Sequence, residues 1–362
     1  MSKNKINVAI IGCGRIAGHH CRSIKNIEGF NLVAVCDLVI QKANTFANEF
    51  NIQAYDNYKK MFFDNPNINI VVIATPSGMH FEHTIDIIKN HKKHIILEKP
   101  TFMKPSQVKE AYQIAKNHNL EIFPIFQNRY NSAVKRVLEA VNNNELGKIV
   151  CASVRVRWCR PQRYYNLAPW RGTFSMDGGS LTNQGIHHID LLRKLVGEVK
   201  KVSSIHQTYG ADIEVEDTAV AVFEFENKAI GSLEITTAAR PDDFEASISL
   251  VCEKGLAQIG GIAVNELQIF TPNPEDCHKY SEDFSGNVYG NGHSKIYKDI
   301  YLYFDSKIPY PIDFKDTFNS IKLLNSFYIS HENRKWVYLK ESMDSSKLGQ
   351  DNKDLQNMYI TK

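Results

Sequence analysis

The sequence predicts an α/β protein: an N-terminal region built on a doubly wound parallel sheet, then an α+β region with a large open, mostly antiparallel sheet. Up to about residue 125, apolar strand-like runs alternate with helical stretches, which is typical of a parallel sheet with helices on both faces. After residue 148, long strand-like runs dominate. A chain of 362 residues is long enough to form two cores of this kind.

The first region shows the strand–helix alternation element by element. Ile70–Ala74 is apolar throughout, as a strand covered on both faces must be. A linking helix is expected from Arg129 to about residue 145, ending near Gly147. The predicted strands span 6–11, 31–36, 69–74, 94–97 and 121–125, and the predicted helices lie near 16–27, 39–50, 79–91 and 105–118.

The second region carries alternating residues along its strands. Ala219 and Ala221 share one strand face, whereas Val220 and Val222 share the other, so we expect both faces of this sheet to be covered, one by helices of the chain and one by a partner subunit. The domains predicted from this pattern are 1–126, 127–341 and a polar, loosely ordered tail at 342–362. Predicted strands span 149–160, 199–208, 217–226, 229–238, 245–251 and 266–271, with helices near 181–196 and 315–330.

Composition excludes several classes of protein. The chain is 43% apolar and 23% charged, with a net charge of +3, which is too small to indicate a nucleic-acid partner. No apolar stretch of about 18 residues is present, so no membrane span is expected. The seven cysteines are odd in number and scattered, which supports neither a disulfide framework nor a metal site and favours a reducing cytoplasm.

The first strand leads directly into a glycine-rich turn, Gly12-Cys13-Gly14-Arg15-Ile16-Ala17-Gly18. A strand, a tight glycine turn and a helix form the pyrophosphate-binding unit of the Rossmann dinucleotide-binding fold. Asp37 follows the second strand, where an acid holds the ribose hydroxyls and repels a 2′-phosphate, so NAD is expected rather than NADP. The expected cofactor contacts here are Gly12, Gly14, Arg15, Ile16 and Asp37.

Two further strand ends complete the predicted cofactor crevice, because ligands of open parallel sheets bind beyond the carboxyl ends of the strands. Thr75, Pro76, Ser77 and His80 follow the fourth strand and are expected to line the nicotinamide half, although a helix cap with an exposed histidine fits the same residues. Lys99 follows the fifth strand, and a lysine there can bond a substrate hydroxyl and tune its proton transfer, unless it is a solvated surface charge. Pro100 is a candidate for a cis bond. Glu98, Lys99 and Gln127 complete the cofactor set.

The helix expected at 181–196 carries polar residues at helical spacing. Asn183, His187, Asp190 and Lys194 fall on one stripe. A polar stripe commonly faces solvent, but this one follows small residues that allow close approach, and it pairs Asn183 with His187 one turn later. We interpret His187 as a proton acceptor oriented by Asn183; His188 points about 100° away.

Five arginines occur between Glu145 and Asp177 with no intervening acid and with four interleaved aromatic residues. Arginine forks match phosphate and carboxylate oxygens, and aromatic rings can stack on a base, so a nucleotide-linked or otherwise anionic small substrate fits this segment. An exposed strand followed by a basic loop is the alternative. The residues are Arg155, Arg157, Arg160, Arg163 and Arg171, with Trp158, Tyr164, Tyr165 and Trp170.

These motifs together resemble the glucose–fructose oxidoreductase / inositol dehydrogenase family. The resemblance rests on the glycine turn, Ala74-Thr75-Pro76, Glu98-Lys99-Pro100 and the Gly-Gly…His-x-Ile-Asp helix, and it covers most of the chain. It implies a nicotinamide cofactor, chemistry at a sugar or cyclitol hydroxyl, Lys99 and His187 as the catalytic pair, and homodimers or homotetramers formed through the open sheet. Many members carry Asp where this chain has Asn183, so the resemblance does not extend to a two-residue proton relay.

A narrower resemblance concerns the substrate. Tyr164-Tyr165, Trp170-Arg171-Gly172, Asn183–His187 and Asn291-Gly292-His293 are similar to dehydrogenases that oxidise the 3-hydroxyl of UDP-linked N-acetylglucosaminuronate on routes to surface-polysaccharide amino sugars. A dehydrogenase or reductase of a free sugar, inositol or lactone, and a catalytically silent NAD-bound sensor, are the alternatives. The implied substrate contacts are Lys99, Arg160, Tyr164, Tyr165, Arg171, Asn183, His187 and His293.

Overall fold

The computed structural model describes residues 5–284, 289–341 and 343–360 and divides into two compact units. The first unit contains the chain up to Ile125, His293–Phe318 and the residues from Asp351 onward. The second contains Phe126–Gly292 and Asn319–Gln350. The residues at 1–4, 342, 361 and 362 of the predicted domains lie outside the described residues.

The first unit contains a six-stranded parallel sheet in the order β3-β2-β1-β4-β5-β6. This is the doubly wound order, in which the strand sequence reverses next to β1 and leaves a crevice at the carboxyl ends. Its strands are β1 (Ile6–Ile11), β2 (Phe30–Cys36), β3 (Gln53–Tyr55), β4 (Ile70–Ile73), β5 (His94–Leu97) and β6 (Ile122–Pro124).

Helices connect these strands, as a parallel sheet requires. The fourth helix continues as a π-helical turn at Ile87–His91. The helices are α1 (Ala17–Lys25), α2 (Ile40–Phe50), α3 (Tyr58–Asp64), α4 (His80–Asp86) and α5 (Pro105–Asn117).

The second unit is built on an eight-stranded sheet in the order β13-β12-β11-β7-β10-β9-β8-β14. Among the described strand pairings of this sheet, only β7–β10 is parallel, so the sheet is mostly antiparallel, as the sequence predicts. The strands are β7 (Ile149–Arg157), β8 (Val199–Gln207), β9 (Thr218–Phe225), β10 (Ile230–Thr236), β11 (Glu245–Cys252), β12 (Leu256–Gly260), β13 (Glu266–Phe270) and β14 (Val337–Tyr338).

The remaining helices follow β6 along the chain. A 3-10 turn at Gln127–Tyr130 precedes the first of them, so the predicted linking helix begins three residues later than expected. These helices are α6 (Ser132–Asn142), α7 (Gln162–Tyr165), α8 (Ser180–Asn183), α9 (Ile186–Val196), α10 (Asp276–Lys279), α11 (Gly292–Ser306), α12 (Phe314–Asn333) and α13 (Lys353–Asn357). No helix in the described parts of the chain is both long and apolar enough to cross a membrane.

The large sheet has one covered and one open face. Along β9, Ala219, Ala221 and Phe223 are buried, whereas Val220 and Val222 are 51% and 48% exposed. The outward row continues with Ile205, which pairs with Val220 across β8. The described parts of the chain therefore cover the inward face, and coverage of the outward face by a partner subunit stays a prediction.

The two compact units group the residues differently from the predicted domains 1–126, 127–341 and 342–362. Residues 293–318 belong to the first unit, where α11 packs aromatic side chains on the first sheet: Tyr297 and Tyr301 both contact Phe30 edge-on. The described residues 351–360 belong to the same unit. The described part of the expected loose tail is also packed, since Leu348 is completely buried. A helix as short as α13 and a few anchoring residues are too short to show a periodic signal.

One helix expected at 181–196 is two. The hydrogen-bonded helix is interrupted at Gln184–Gly185, although both residues keep right-handed helical dihedral angles, and α9 starts at Ile186. Gly185 has no room for a side chain, because a Cβ there would lie 2.5 Å from the Ile235 side chain. Asn183 therefore ends one helix and His187 begins the next.

Candidate active site

The glycine turn of the first unit approaches the end of strand β4 very closely. Gly12 has a φ of +98°, and a Cβ there would lie 2.4 Å from the Ala74 carbonyl oxygen, so only glycine fits. Gly14 faces open space, because a Cβ on this residue would meet no atom within 4 Å, which leaves room for a ligand to lie against the backbone. Arg15 is exposed and Ile16 caps α1. The turn thus has the shape that a pyrophosphate requires.

Asp37 is fixed at the end of β2, beside this turn. Its Oδ2 accepts a hydrogen bond from the Cys13 amide at 2.8 Å, and its Oδ1 accepts one from the Val39 amide at 2.9 Å. A carboxylate has about four lone-pair positions, so this one can still accept ribose hydroxyls. Its position agrees with the one that the sequence predicts for the ribose acid.

The His80 ring contacts the backbone of two loops, the one that follows β4 and the one that follows β5. Its Nδ1 lies 2.8 Å from the Pro100 carbonyl oxygen and its Nε2 lies 3.0 Å from the Thr75 carbonyl oxygen. The ring is 1% exposed, and burial lowers its pKa. The His80 ring thus lies against two backbone carbonyl oxygens, which supports a bracing role, and its role as a cofactor contact stays a prediction. Pro76 and the buried Ser77 lie in the braced loop, and the Lys99–Pro100 bond is cis, as anticipated.

Glu98 is buried beneath Lys99, which is itself partly exposed. Its Oε2 accepts the Lys99 backbone N–H at 3.0 Å, and its Oε1 lies 3.0 Å from Nε2 of His20 and 3.3 Å from Nε2 of His293. Both carboxylate oxygens thus accept hydrogen bonds from protein donors, and the role of Glu98 as a cofactor contact stays a prediction. His293, expected among the substrate contacts, is 2% exposed and lies in this buried cluster instead.

In the second unit, the 3-10 turn Gln127–Tyr130 positions helix α9. The Gln127 amide N–H donates to Nε2 of His187 at 3.1 Å, so Nε2 carries the lone pair and is the proton-accepting nitrogen. Two residues along the turn, Arg129 forms a buried ion pair with Asp190. Gln127, expected as a cofactor contact, here holds the candidate base. Sequence reasoning missed Arg129, because nothing in its local pattern pairs it with a residue 61 positions away.

Asn183 contacts a carboxylate that the sequence analysis did not single out. Its Nδ2 donates to Oδ1 of Asp177, and Oδ2 of Asp177 accepts the Gly172 amide at 2.8 Å. Asp177 is 1% exposed, and its two hydrogen bonds connect α8 to the loop that follows Arg171. This hydrogen bond orients the Asn183 side-chain amide. It also places a carboxylate, that of Asp177, next to the position where many members of the resembling family carry Asp.

Most of the arginine segment is neutralised within the fold. Arg155 pairs with Glu245, Arg157 with Glu234 and Glu245, and Arg160 with Asp243 at 2.7 Å. Three of the five arginines therefore have acidic partners from outside the segment. The partners come from β10, β11 and the loop between them, which sheet pairing brings alongside β7.

Arg171 differs from these three, because the described residues include no carboxylate in ion-pair contact with it. Its guanidinium lies 4.4 Å from the Tyr164 ring centroid and 4.5 Å from that of Trp170, and Nη1 donates to the Tyr164 hydroxyl at 2.6 Å. Its Nε is buried, with no hydrogen-bond partner among the described residues. Tyr165, expected as a substrate contact, is buried, and its hydroxyl lies 3.1 Å from Thr237 Oγ1, so it packs rather than binds.

Comparison with known proteins decides the family. Residues 6–126 match the "Oxidoreductase family, NAD-binding Rossmann fold", and residues 134–258 match the "GFO/IDH/MocA C-terminal domain". The chain belongs to the Gfo/Idh/MocA family. It is an NAD-dependent oxidoreductase of the sugar dehydrogenase type.

Solved structures of this family resemble the chain over nearly its whole length. One is the WlbA dehydrogenase from Bordetella pertussis in complex with NADH and UDP-GlcNAcA: it is 30% identical, has a TM-score of 0.88, and the match covers 93% of this chain and 99% of that one. The corresponding enzyme from Chromobactrium violaceum, with the same two ligands, is also 30% identical, with a TM-score of 0.86 over 93% and 97% of the two chains.

Curated relatives in sequence act on other sugars. The glucose-6-phosphate 3-dehydrogenase of Bacillus subtilis is 25% identical over 257 residues, covering 68% of this chain and 72% of that protein. The D-glucoside 3-dehydrogenase of Escherichia coli is 28% identical over 261 residues, covering 66% and 72%. Both names specify oxidation at a sugar 3-position.

Proposed function

We propose that this Gfo/Idh/MocA enzyme oxidises the 3-hydroxyl of a UDP-linked N-acetylhexosaminuronate. The observation that carries the proposal is the partly exposed Arg171, whose guanidinium lies over the Tyr164 and Trp170 rings and makes no ion pair with a carboxylate of the described residues. A guanidinium without a counter-charge suits a phosphate or carboxylate oxygen of the substrate. The likeness to two solved enzymes that hold NADH and UDP-GlcNAcA supports the same substrate class.

In the proposed reaction, a secondary alcohol becomes a ketone, and two hydrogens leave it in different forms. The glycine turn and Asp37 would hold NAD⁺, which would supply the hydride acceptor for the carbinol carbon. His187 takes the hydroxyl proton on Nε2 once the Gln127 amide releases that lone pair, while the Lys99 ammonium donates a hydrogen bond to the hydroxyl oxygen and holds its developing charge. Asn183, oriented by Asp177, is proposed to hold the sugar in place.

The test is a panel of UDP-sugars and free sugars with NAD, followed by NADH absorbance and by mass spectrometry for a loss of two hydrogens. We expect UDP-linked uronate to be used far better than the same free, neutral sugar. Arg171→Ala should weaken substrate binding roughly 10- to 150-fold, since a charge-assisted bond contributes about 1.5–3 kcal/mol, with turnover at saturation less affected. Arg163→Ala, at an exposed arginine of the same segment, is the matched control.

The second candidate is oxidation of a sugar without a nucleotide. The two curated relatives that act at the 3-position of glucose 6-phosphate and of glucosides favour it. Equal use of UDP-linked and free sugars by the wild-type enzyme, together with an Arg171→Ala variant of unchanged KM, would move the protein to that branch.

A further inference from the structure

A carboxylate and two histidines form a buried cluster directly behind Lys99. Glu98 directly follows β5, His20 lies on α1 and His293 on α11, and all three are at most 6% exposed. Their ligating atoms lie within 4.8 Å of one another. Three separate elements of the first unit thus converge on the residue that precedes Lys99.

The chemistry of the groups fixes where the protons are. A carboxylate only accepts hydrogen bonds, so Nε2 of His20 and Nε2 of His293 each donate to Oε1 of Glu98. In His20 the other nitrogen, Nδ1, lies 2.8 Å from the Tyr297 hydroxyl and accepts its hydrogen bond. Chains of such bonds hold each member in one tautomer and one orientation.

The charge of Glu98 is retained despite its burial. Burial raises the pKa of the carboxyl, but hydrogen bonds from His20 and His293 outweigh that effect, and the net pKa lies well below the usual value. Burial also lowers the pKa of His20, although its hydrogen bond to Glu98 opposes that effect. The other titratable groups that act on this cluster are His19, His80 and Tyr297. An ionised Oε2 is a stronger acceptor for the Lys99 amide than a neutral carboxyl would be.

We propose that His20 and His293 are positioning residues for Lys99, acting through the two oxygens of Glu98. The proposal rests on the catalytic role of Lys99 in the proposed function. His20 and His293 occupy Oε1, which leaves Oε2 directed at the Lys99 backbone N–H and fixes the backbone from which the lysine side chain extends. Losing either donor frees the carboxylate to turn, and an error of about 1 Å in a catalytic group can cost about 100-fold in rate.

The experiment is a double-mutant cycle on the full-length enzyme with whichever sugar of the panel it oxidises. His293→Leu removes the donor and keeps the bulk, and we expect kcat to fall about 10- to 100-fold with NADH affinity within about 3-fold of wild type. His293→Gln places an amide N–H near the same point and should restore most of kcat. In a Lys99→Ala background, His293→Leu should cause no further loss, since coupled residues are not additive.

The control is His94→Leu, a histidine at the opposite end of the same strand, whose Nδ1 accepts the Glu121 amide. It should leave kcat unchanged. Full additivity of His293→Leu with Lys99→Ala would overturn the proposal, as would one equivalent of tightly bound metal per chain by elemental analysis, because lone pairs and not N–H groups would then face Glu98. If only the proposed substrate is wrong, the wild type and the variants are assayed on another sugar that the enzyme oxidises. The double-mutant cycle then still tests whether His293 acts through Lys99.

Discussion

Arg129 and Asp190 form a two-bond ion pair in the interior of the second unit, with Nε and Nη2 of Arg129 each 2.6 Å from a different carboxylate oxygen. Ser320 donates a third bond to Asp190 at 2.7 Å. One helical turn earlier, Gln127 contacts His187. The turn that carries Gln127 and Arg129 therefore contacts α9 at two residues, His187 and Asp190. The ion pair fixes the position of α9 along its axis and its rotation about that axis.

Asp190→Asn should destabilise the protein by about 3–5 kcal/mol, because it leaves the Arg129 guanidinium buried without a counter-charge. The midpoint of denaturant unfolding measures this. The double variant Arg129→Met/Asp190→Leu removes both charges and should recover most of the stability. Its kcat should stay low, because the ion pair no longer holds α9 in position. If the double variant were as unstable as Asp190→Asn, the stability of the protein would depend on the hydrogen bonds between Arg129 and Asp190 and not on the balance of charge.

Lys99→Ala and His187→Ala should each lower kcat on the order of 10²–10⁴-fold while folding and NADH binding stay nearly intact, since general acid–base groups contribute that much. Steady-state kinetics and NADH fluorescence measure the two effects. His188→Asn is the control on the same helix: its ring is completely buried against Trp158, so it should cost stability but little turnover. Wild-type turnover in both Ala variants would remove these residues from the mechanism.

Asp37→Ala should narrow the preference for NAD over NADP. The carboxylate, held by the Cys13 and Val39 amides, repels a 2′-phosphate placed on the adenosine ribose. We expect the KM for NAD to rise and that for NADP to fall. Asp56→Ala, another acid of the first unit, serves as the comparison. Equal affinity of the wild-type enzyme for the two cofactors would contradict the assignment of Asp37.

Glu216 should make the protein less stable as the pH rises towards neutrality. Burial raises the pKa of this carboxyl to about 7, although hydrogen bonds from the Leu181 amide and the Tyr328 hydroxyl oppose the rise. The folded protein then binds a proton that the unfolded chain releases near its ordinary pKa of 4.5, so stability falls between about pH 4.5 and 7 by on the order of 3 kcal/mol.

Melting temperatures measured from pH 5 to 8 check this. Glu216→Gln should match the wild type near pH 5 and exceed it above pH 7, because the amide cannot ionise. Glu226→Gln, at an exposed glutamate of the same unit, should leave the shape of the curve unchanged. Parallel curves for the wild type and Glu216→Gln would show that Glu216 does not titrate in this range.

The open face of the large sheet should bind a second copy of the chain. Val220, Val222 and Ile205 lie outward on neighbouring strands, interspersed with the small Ser203 and Ser232, which gives a flat face suited to sheet-on-sheet packing. Val222→Lys at the centre of this face should reduce the particle mass in light scattering to that of one chain. Phe63→Lys, at an 85% exposed residue of α3, should not. A monomeric wild-type protein would contradict this expectation.

The local pattern of the sequence determined the fold class and the position of the loops that carry chemistry. Strand periodicity and the glycine turn predict the order of elements, and the carboxyl ends of parallel strands place Asp37, Thr75 and Lys99 at one edge. These are short-range effects: backbone sterics and the alternation of apolar residues act over a few positions. The cis bond before Pro100 belongs with them.

Only the tertiary structure decided which polar side chains are free to meet a ligand. Arg160 and Arg171 look alike in the sequence. In the structure, Arg160 forms an ion pair with Asp243, whereas Arg171 lies over aromatic rings. His80, predicted as a cofactor contact, and His293, predicted as a substrate contact, are both buried in the structure. A buried charge or imidazole needs a partner. Pro100 lies 20 residues from His80 and Glu98 lies 195 residues from His293, which is too far for a local pattern to predict.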